Sequence, residues 1–157
     1  MGKRETSVRD KRLLAAICGL TVLLLAAAHA DDGRAAFEHR RDTMKAMGRA
    51  LYLGVGRVAK GRAEFGPDTV AAAETLARLA ATIGTLFPPG SDGPDSNMKP
   101  AILAAPDRVA QLVASVQSAM PDFLAEVRSG DRARIASAVA AMNTACDACH
   151  NDFRKEE

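Results

Sequence analysis

The chain has 157 residues, with 21 Lys and Arg against 19 Asp and Glu for a formal net charge of +2, and no Trp. Five basic and two acidic residues fall in the first thirty positions, so the remainder is close to neutral. That remainder holds no Lys/Arg cluster with interleaved aromatics, which excludes nucleic acid as the partner.

The leading segment has three parts. Lys3, Arg4, Arg9, Lys11 and Arg12 precede an apolar run from Leu13 to Ala28, and Ala28-His29-Ala30 fits the small-residue cleavage pattern. Residues 1–30 are therefore expected to be a secretory signal peptide cleaved after Ala30, which leaves residues 31–157 as one domain in the periplasm. The alternative is a retained anchor, because the apolar run approaches the roughly 20 residues that span a bilayer. Cys18 follows Ile17, where a lipoprotein cysteine needs a small neighbour, and it leaves with the signal. Only Cys146 and Cys149 then remain, in a compartment that oxidises idle thiol pairs.

Beyond Ala30 nothing alternates as a strand does, and apolar residues recur at helical spacing in four stretches. The first spans about Asp32 to Ala59 and carries Phe37, Met44, Met47, Leu51, Val55 and Val58. Gly48, Gly54 and Gly56 weaken it, each by about 1 kcal/mol relative to Ala. The second opens at Gly66-Pro67-Asp68, carries Val70, Ala73, Leu76, Ala80, Ile83 and Phe87, and stops at Pro88-Pro89-Gly90. From Pro88 to Pro100 the composition predicts a surface connection longer than usual between bundle helices.

The third stretch opens at Pro106-Asp107 and repeats Val109, Leu112, Val113, Val116, Met120, Phe123, Leu124 and Val127. Pro121 is expected to kink or divide it, because proline removes a helical hydrogen bond. After the turn Ser129-Gly130-Asp131, the fourth carries Ile135, Ala138, Val139, Met142, Cys146, Cys149, His150 and Phe153. Four amphipathic helices with short first and third connections predict an all-α, antiparallel four-helix bundle.

Cys146-Asp147-Ala148-Cys149-His150 is a C-x-x-C-H sequence, the signature of covalent haem attachment. On a helix, positions i, i+3 and i+4 share a face, so two thioether bonds and one imidazole ligand to iron converge on the side marked by Met142 and Phe153. Three other readings compete. A thioredoxin-like pair belongs at a helix N-terminus, whereas this pair ends an all-helical chain. Structural zinc needs four ligands, and the only further candidate is His39 on another segment. A disulfide across so short a loop gains little entropy and leaves His150 unexplained. The second axial position of iron takes a sulfur or imidazole, for which Met44, Met47, Met120 and Met142 are candidates.

With these residues in place, the chain resembles the class II cytochromes c, comprising cytochromes c′ and their low-spin relatives. The likeness covers residues 34–155. It is carried by Arg40-Arg41-Asp42-Thr43-Met44-Lys45, Ala59-Lys60-Gly61, Leu86-Phe87-Pro88-Pro89-Gly90-Ser91-Asp92, and the stretch from Cys146 to Arg154 with C-x-x-C-H at the C-terminal end. The resemblance implies a left-handed bundle with haem c between the helices, one per chain and covalently attached. It implies His150 as proximal ligand, Arg154 beside the proximal pocket, and Met44 at the distal position. Arg40, Arg41, Ser91 and Asp92 match positions near the haem edge, where arginine and short polar groups bond propionates.

Two functions follow from the resemblance. With Met44 on iron the protein is a periplasmic one-electron carrier, not an enzyme, exchanging electrons with redox protein donors and acceptors. With Met44 off iron the haem is five-coordinate and open to nitric oxide or carbon monoxide. The run Met44-Lys45 through Gly48-Arg49, with Ala59-Lys60-Gly61, is closer to the low-spin relatives, whereas Arg40 is closer to cytochromes c′. A haem-free helical interaction module is a third, different reading. Many relatives are homodimers through the first helix, and Gly48, Gly54 and Gly56 permit close helix approach.

Overall fold

A computed structural model describes residues 33–156, so the expected signal peptide lies outside the described residues. Four helices form an antiparallel bundle, and no strand occurs among the described residues. Helix α1 covers 33–59, α2 Pro67–Ala80, α3 Pro106–Arg128 and α4 Arg132–Phe153. Each packs on its neighbour in sequence, and α4 closes the ring against α1. No described helix is long and apolar enough to cross a membrane.

In α1 the buried positions Arg40, Thr43, Met47, Ala50, Leu51, Val55 and Val58 recur at steps of three and four, as one inward stripe requires. Across Arg49–Val55 the helix widens to π geometry, and the Gly56 amide donates to the Leu51 carbonyl five residues back. A β-carbon on Gly56 would stand 3.1 Å from that carbonyl, so glycine accommodates the wide turn. The helix ends at Gly61, whose φ of +64° is left-handed. The Arg62 amide donates to the Arg57 carbonyl and the Gly61 amide to Val58, closing a Schellman cap.

Helix α2 stops at Ala80 rather than continuing to Phe87, and a 3₁₀ turn over Ile83–Thr85 follows. The Gln117 side-chain amide from α3 donates to the carbonyls of Ala80 (3.1 Å) and Ala81 (3.3 Å), and the Thr82 hydroxyl donates to Leu79. These donors stand where the next helical amides would be.

Helix α3 runs undivided through Pro121. Both Pro121 and Gln117, whose carbonyl loses its helical donor, are on the exposed side, open to solvent. At the start of α4, Asp131 accepts from the amides of Ala133 (2.8 Å) and Arg134 (3.0 Å), a side-chain N-cap.

The main core joins all four helices through residues such as Leu51, Val55, Leu76, Val116, Phe123, Ile135 and Met142. A second apolar cluster, Met98, Ile102, Leu112 and Phe153, closes the bundle at the C-terminal end of α4. The connection from Pro88 to Pro100 is not simply surface. Ser91, Ser96 and Met98 are buried, and Met98 forms an antiparallel bridge with Arg154.

Candidate cofactor site

Cys146, Cys149 and His150 occupy the last two turns of α4, half-buried, between the two apolar clusters. Cys146 borders the main core, and Cys149 borders the cluster around Met98 and Phe153. Both thiols are free. Burial, with Asp147 and then Cys149 nearby, pushes the Cys146 thiol up to about 11. Cys149 is also raised, by burial and then Asp152, against the opposing pull of Arg108. A dithiol redox centre works with a lowered thiol pKa at a helix N-terminus, whereas burial here acts in the opposite direction and the pair ends an all-helical bundle.

Burial and then the Arg154 cation lower the His150 pKa, leaving a neutral imidazole with a lone pair for a metal. Among the described residues no hydrogen bond holds its ring. Among the described residues no group of three or more His, Cys, Asp or Glu is placed to hold a metal ion.

The opposite wall is α1. The two helices pack tightly over Gly56–Ala59 and part along Arg49–Val55, toward the end of α4 that bears the cysteines. Three points set their register. The C-terminal end of α1 meets the start of α4, since a β-carbon on Gly61 would lie 2.9 Å from the Arg132 guanidinium. Further up, Tyr52 is near enough to Cys146 and Asp147 for both to add to the burial that raises its pKa. At the far end Arg40 reaches Ser96, whose carbonyl accepts from Lys155. Met44, one turn after Arg40, thereby lies toward the end of the bundle that bears His150. It is partly buried against the main core, whereas Met47, Met120 and Met142 are fully within it, as filler residues would be.

The donor set suits a haem. Two thiols and a neutral imidazole lie on one helix face, and the Met44 thioether lies on the neighbouring helix toward the same end of the bundle. One buried polar atom here also lacks a partner among the described residues, Oδ1 of Asn143, on the same face one turn before Cys146.

Arg40 is buried, and its guanidinium donates to the Leu86 carbonyl (3.1 Å), Ser91 Oγ (2.9 Å), the Ser91 carbonyl (2.8 Å) and Ser96 Oγ (2.9 Å). Desolvation lowers its pKa, and Asp92 opposes that shift. Arg40, Ser91 and Asp92 are thus brought together, but as a cage built by the chain itself. Arg41 is not part of it: it lies exposed, 3.0 Å from Asp42, with its guanidinium carbon 5.6 Å from the Phe37 ring centre. Arg154 caps α4 in extended geometry, beyond the last helical turn. Sequence reading missed Ser96, Met98, Lys99 and Asn143. The first three sit in a Pro-, Gly- and Ser-rich stretch with no periodicity to mark them, and an isolated Asn in a helix carries no signal.

A family model described as cytochrome c′ matches residues 35–154. Cytochrome c-554 of Cereibacter sphaeroides is 30% identical over 125 residues, covering 76% of this chain and 80% of that protein. Cytochrome c′ of Pararhodospirillum photometricum is 27% identical over 120 residues, 75% of this chain and 94% of that one. Among solved structures, a ferrous variant of cytochrome c prime from Alcaligenes xylosoxidans with bound NO superposes with a TM-score of 0.70 at 24% identity, covering 78% of this chain and 94% of that one. A carbon monoxide-bound variant of the same protein gives 0.69 at 24% identity, over 77% and 94%. These structural likenesses show the fold.

Proposed function

The chain belongs to the cytochrome c′ family and carries covalently attached haem c, one per chain; from that premise we propose a periplasmic one-electron carrier whose haem iron His150 and Met44 would both hold. When bound, haem c supplies an iron that cycles between the ferric and ferrous states. The rest is the work of the chain. Cys146 and Cys149 tether the group through thioethers on one helix face. His150, neutral because burial disfavours its charge, would supply nitrogen to the iron, and Met44 would supply sulfur from α1. Ligands fixed on two helices of one bundle change little between oxidation states, which favours carrying an electron over catalysing a reaction.

The observation that supports this reading is the antiparallel packing of α1 and α4, which brings the Arg40–Met44 turn toward the end of the bundle that bears His150. Export rests on the basic and apolar leader ending at Ala30, and the partners are protein donors and acceptors outside the cytoplasm.

Absorption spectra of the purified holoprotein test it. A sharp reduced α-band and a Met-to-iron charge-transfer band near the red edge are expected, both lost in Met44→Leu. Broad high-spin bands that respond to carbon monoxide in the unaltered protein would overturn it. They would favour a five-coordinate gas-binding haem, the state suggested by the NO- and CO-bound structures of the Alcaligenes protein.

A further inference from the structure

Helix α1 packs closely on α4 over Gly56–Ala59 and less closely over Arg49–Val55. Beyond Arg49, toward the start of α1, a further segment bridges the two helices. The bridge is the stretch 91–99.

On the α1 side it is bound by Arg40, one turn before Met44. Its guanidinium lies between the rings of Phe37 and Phe87, 5.8 Å from each centroid, and its two terminal nitrogens make the four bonds to Leu86, Ser91 and Ser96 given above. Ser91 is fully buried and Ser96 is 3% exposed, so water does not compete for these bonds. Ser96 Oγ also accepts from the Met98 amide at 3.2 Å, and its carbonyl accepts from Lys155 Nζ at 2.7 Å.

On the α4 side, Lys99 caps the helix that bears His150. Lys99 Nζ donates to the carbonyls of Asn151 (3.1 Å) and Asp152 (3.3 Å), and its amide donates to Phe153 at 2.7 Å. The Lys155 amide returns a bond to the Asn97 carbonyl at 2.7 Å. The last carbonyls of a helix have no internal donors, and a cation there also meets the negative end of its dipole. One continuous hydrogen-bonded path therefore runs from the turn before Met44 to the turn after His150.

We propose that residues 91–99 are a strap in which Arg40, Ser96 and Lys99 act as positioning residues, holding Met44 within bonding reach of an iron on His150. This rests on Met44 being the distal ligand. Arg40 then acts through the strap, its four terminal N–H donors being taken by the chain, and not through a haem propionate. Loosening the strap lets α1 and α4 separate and populates a conformer with Met44 off iron and the distal face open.

The test uses holoprotein carrying Ser96→Ala or Lys99→Met, with Met44→Leu as the limiting case. Lys99→Met changes a part-exposed side chain and keeps its apolar stem. Two readouts serve: the ferric Met-to-iron charge-transfer band, and the rate of carbon monoxide binding to the ferrous protein. With helical circular dichroism and gel-stained haem unchanged, both variants should weaken the band. They should also bind carbon monoxide about tenfold faster, as a tenfold larger open population gives.

A wild-type protein with the band, and variants that keep both the band and the slow binding even if they melt at lower temperature, overturns the strap and leaves Met44 as ligand. A wild-type protein without the band that binds carbon monoxide as fast as Met44→Leu overturns both.

Discussion

Gly54 lies directly against Ala72: a β-carbon built on Gly54 of α1 would collide with the Ala72 methyl of α2. This glycine is used inside the protomer, where α1 and α2 approach closely, and that use accounts for it without a partner subunit. Gly54→Ala is therefore expected to destabilise the fold by about 1–3 kcal/mol, the usual cost of overpacking a tight contact. Thermal melting checks this, and sedimentation of the same variant should show the wild-type oligomeric state. A variant as stable as wild type would place the two helices further apart than described.

Attachment through α4 makes a covalent prediction. If Cys146 and Cys149 are the only tethers, the double variant Cys146→Ala/Cys149→Ala loses all haem staining on a denaturing gel. Each single variant should keep reduced stain through the remaining thioether. A single variant that retained full staining would show that its cysteine forms no bond.

Haem-free protein offers a titration. Burial raises the Cys146 thiol to about 11, above the roughly 8.5 of a free thiol. A raised folded pKa favours the protonated fold, so this contribution is fully present below the unfolded pKa and is lost as pH rises through the folded one. Stability of the haem-free protein should fall with rising pH across that window. Alkylation of Cys146 by iodoacetamide, followed by mass spectrometry, should stay slow at neutral pH and accelerate toward pH 11. Rapid labelling at pH 7 would contradict the buried placement.

Asp131 titrates the other way. Hydrogen bonds from the Arg134 and then the Ala133 backbone amides hold its carboxyl below the usual range. A depressed folded pKa gives stability that is present above the unfolded value and lost as pH falls through the folded one. Asp131→Ala should lower the melting temperature at pH 7, with the difference from wild type shrinking as the pH falls below about 4. The haem spectrum should not change, since the cap lies at the opposite end of α4 from His150.

Local signals in the sequence determined the four helices, their inward faces, the bundle class and the grouping of Cys146, Cys149 and His150 on one face. Each depends on the 3.6-residue period or on a spacing of three or four, which a chain expresses wherever it folds as helix. Tertiary structure decided what depends on partners distant in sequence. Helix α2 ends early because Gln117, 37 residues from Ala80, takes its carbonyl. Arg40 enters a cage because Ser91 and Ser96, 51 and 56 residues away, fold back over it. Met44 and His150 come toward one end of the bundle because two helices at opposite ends of the chain meet antiparallel. Hydrogen bonds and register of this kind are properties of the packed molecule, because no local period encodes which distant donor reaches which carbonyl.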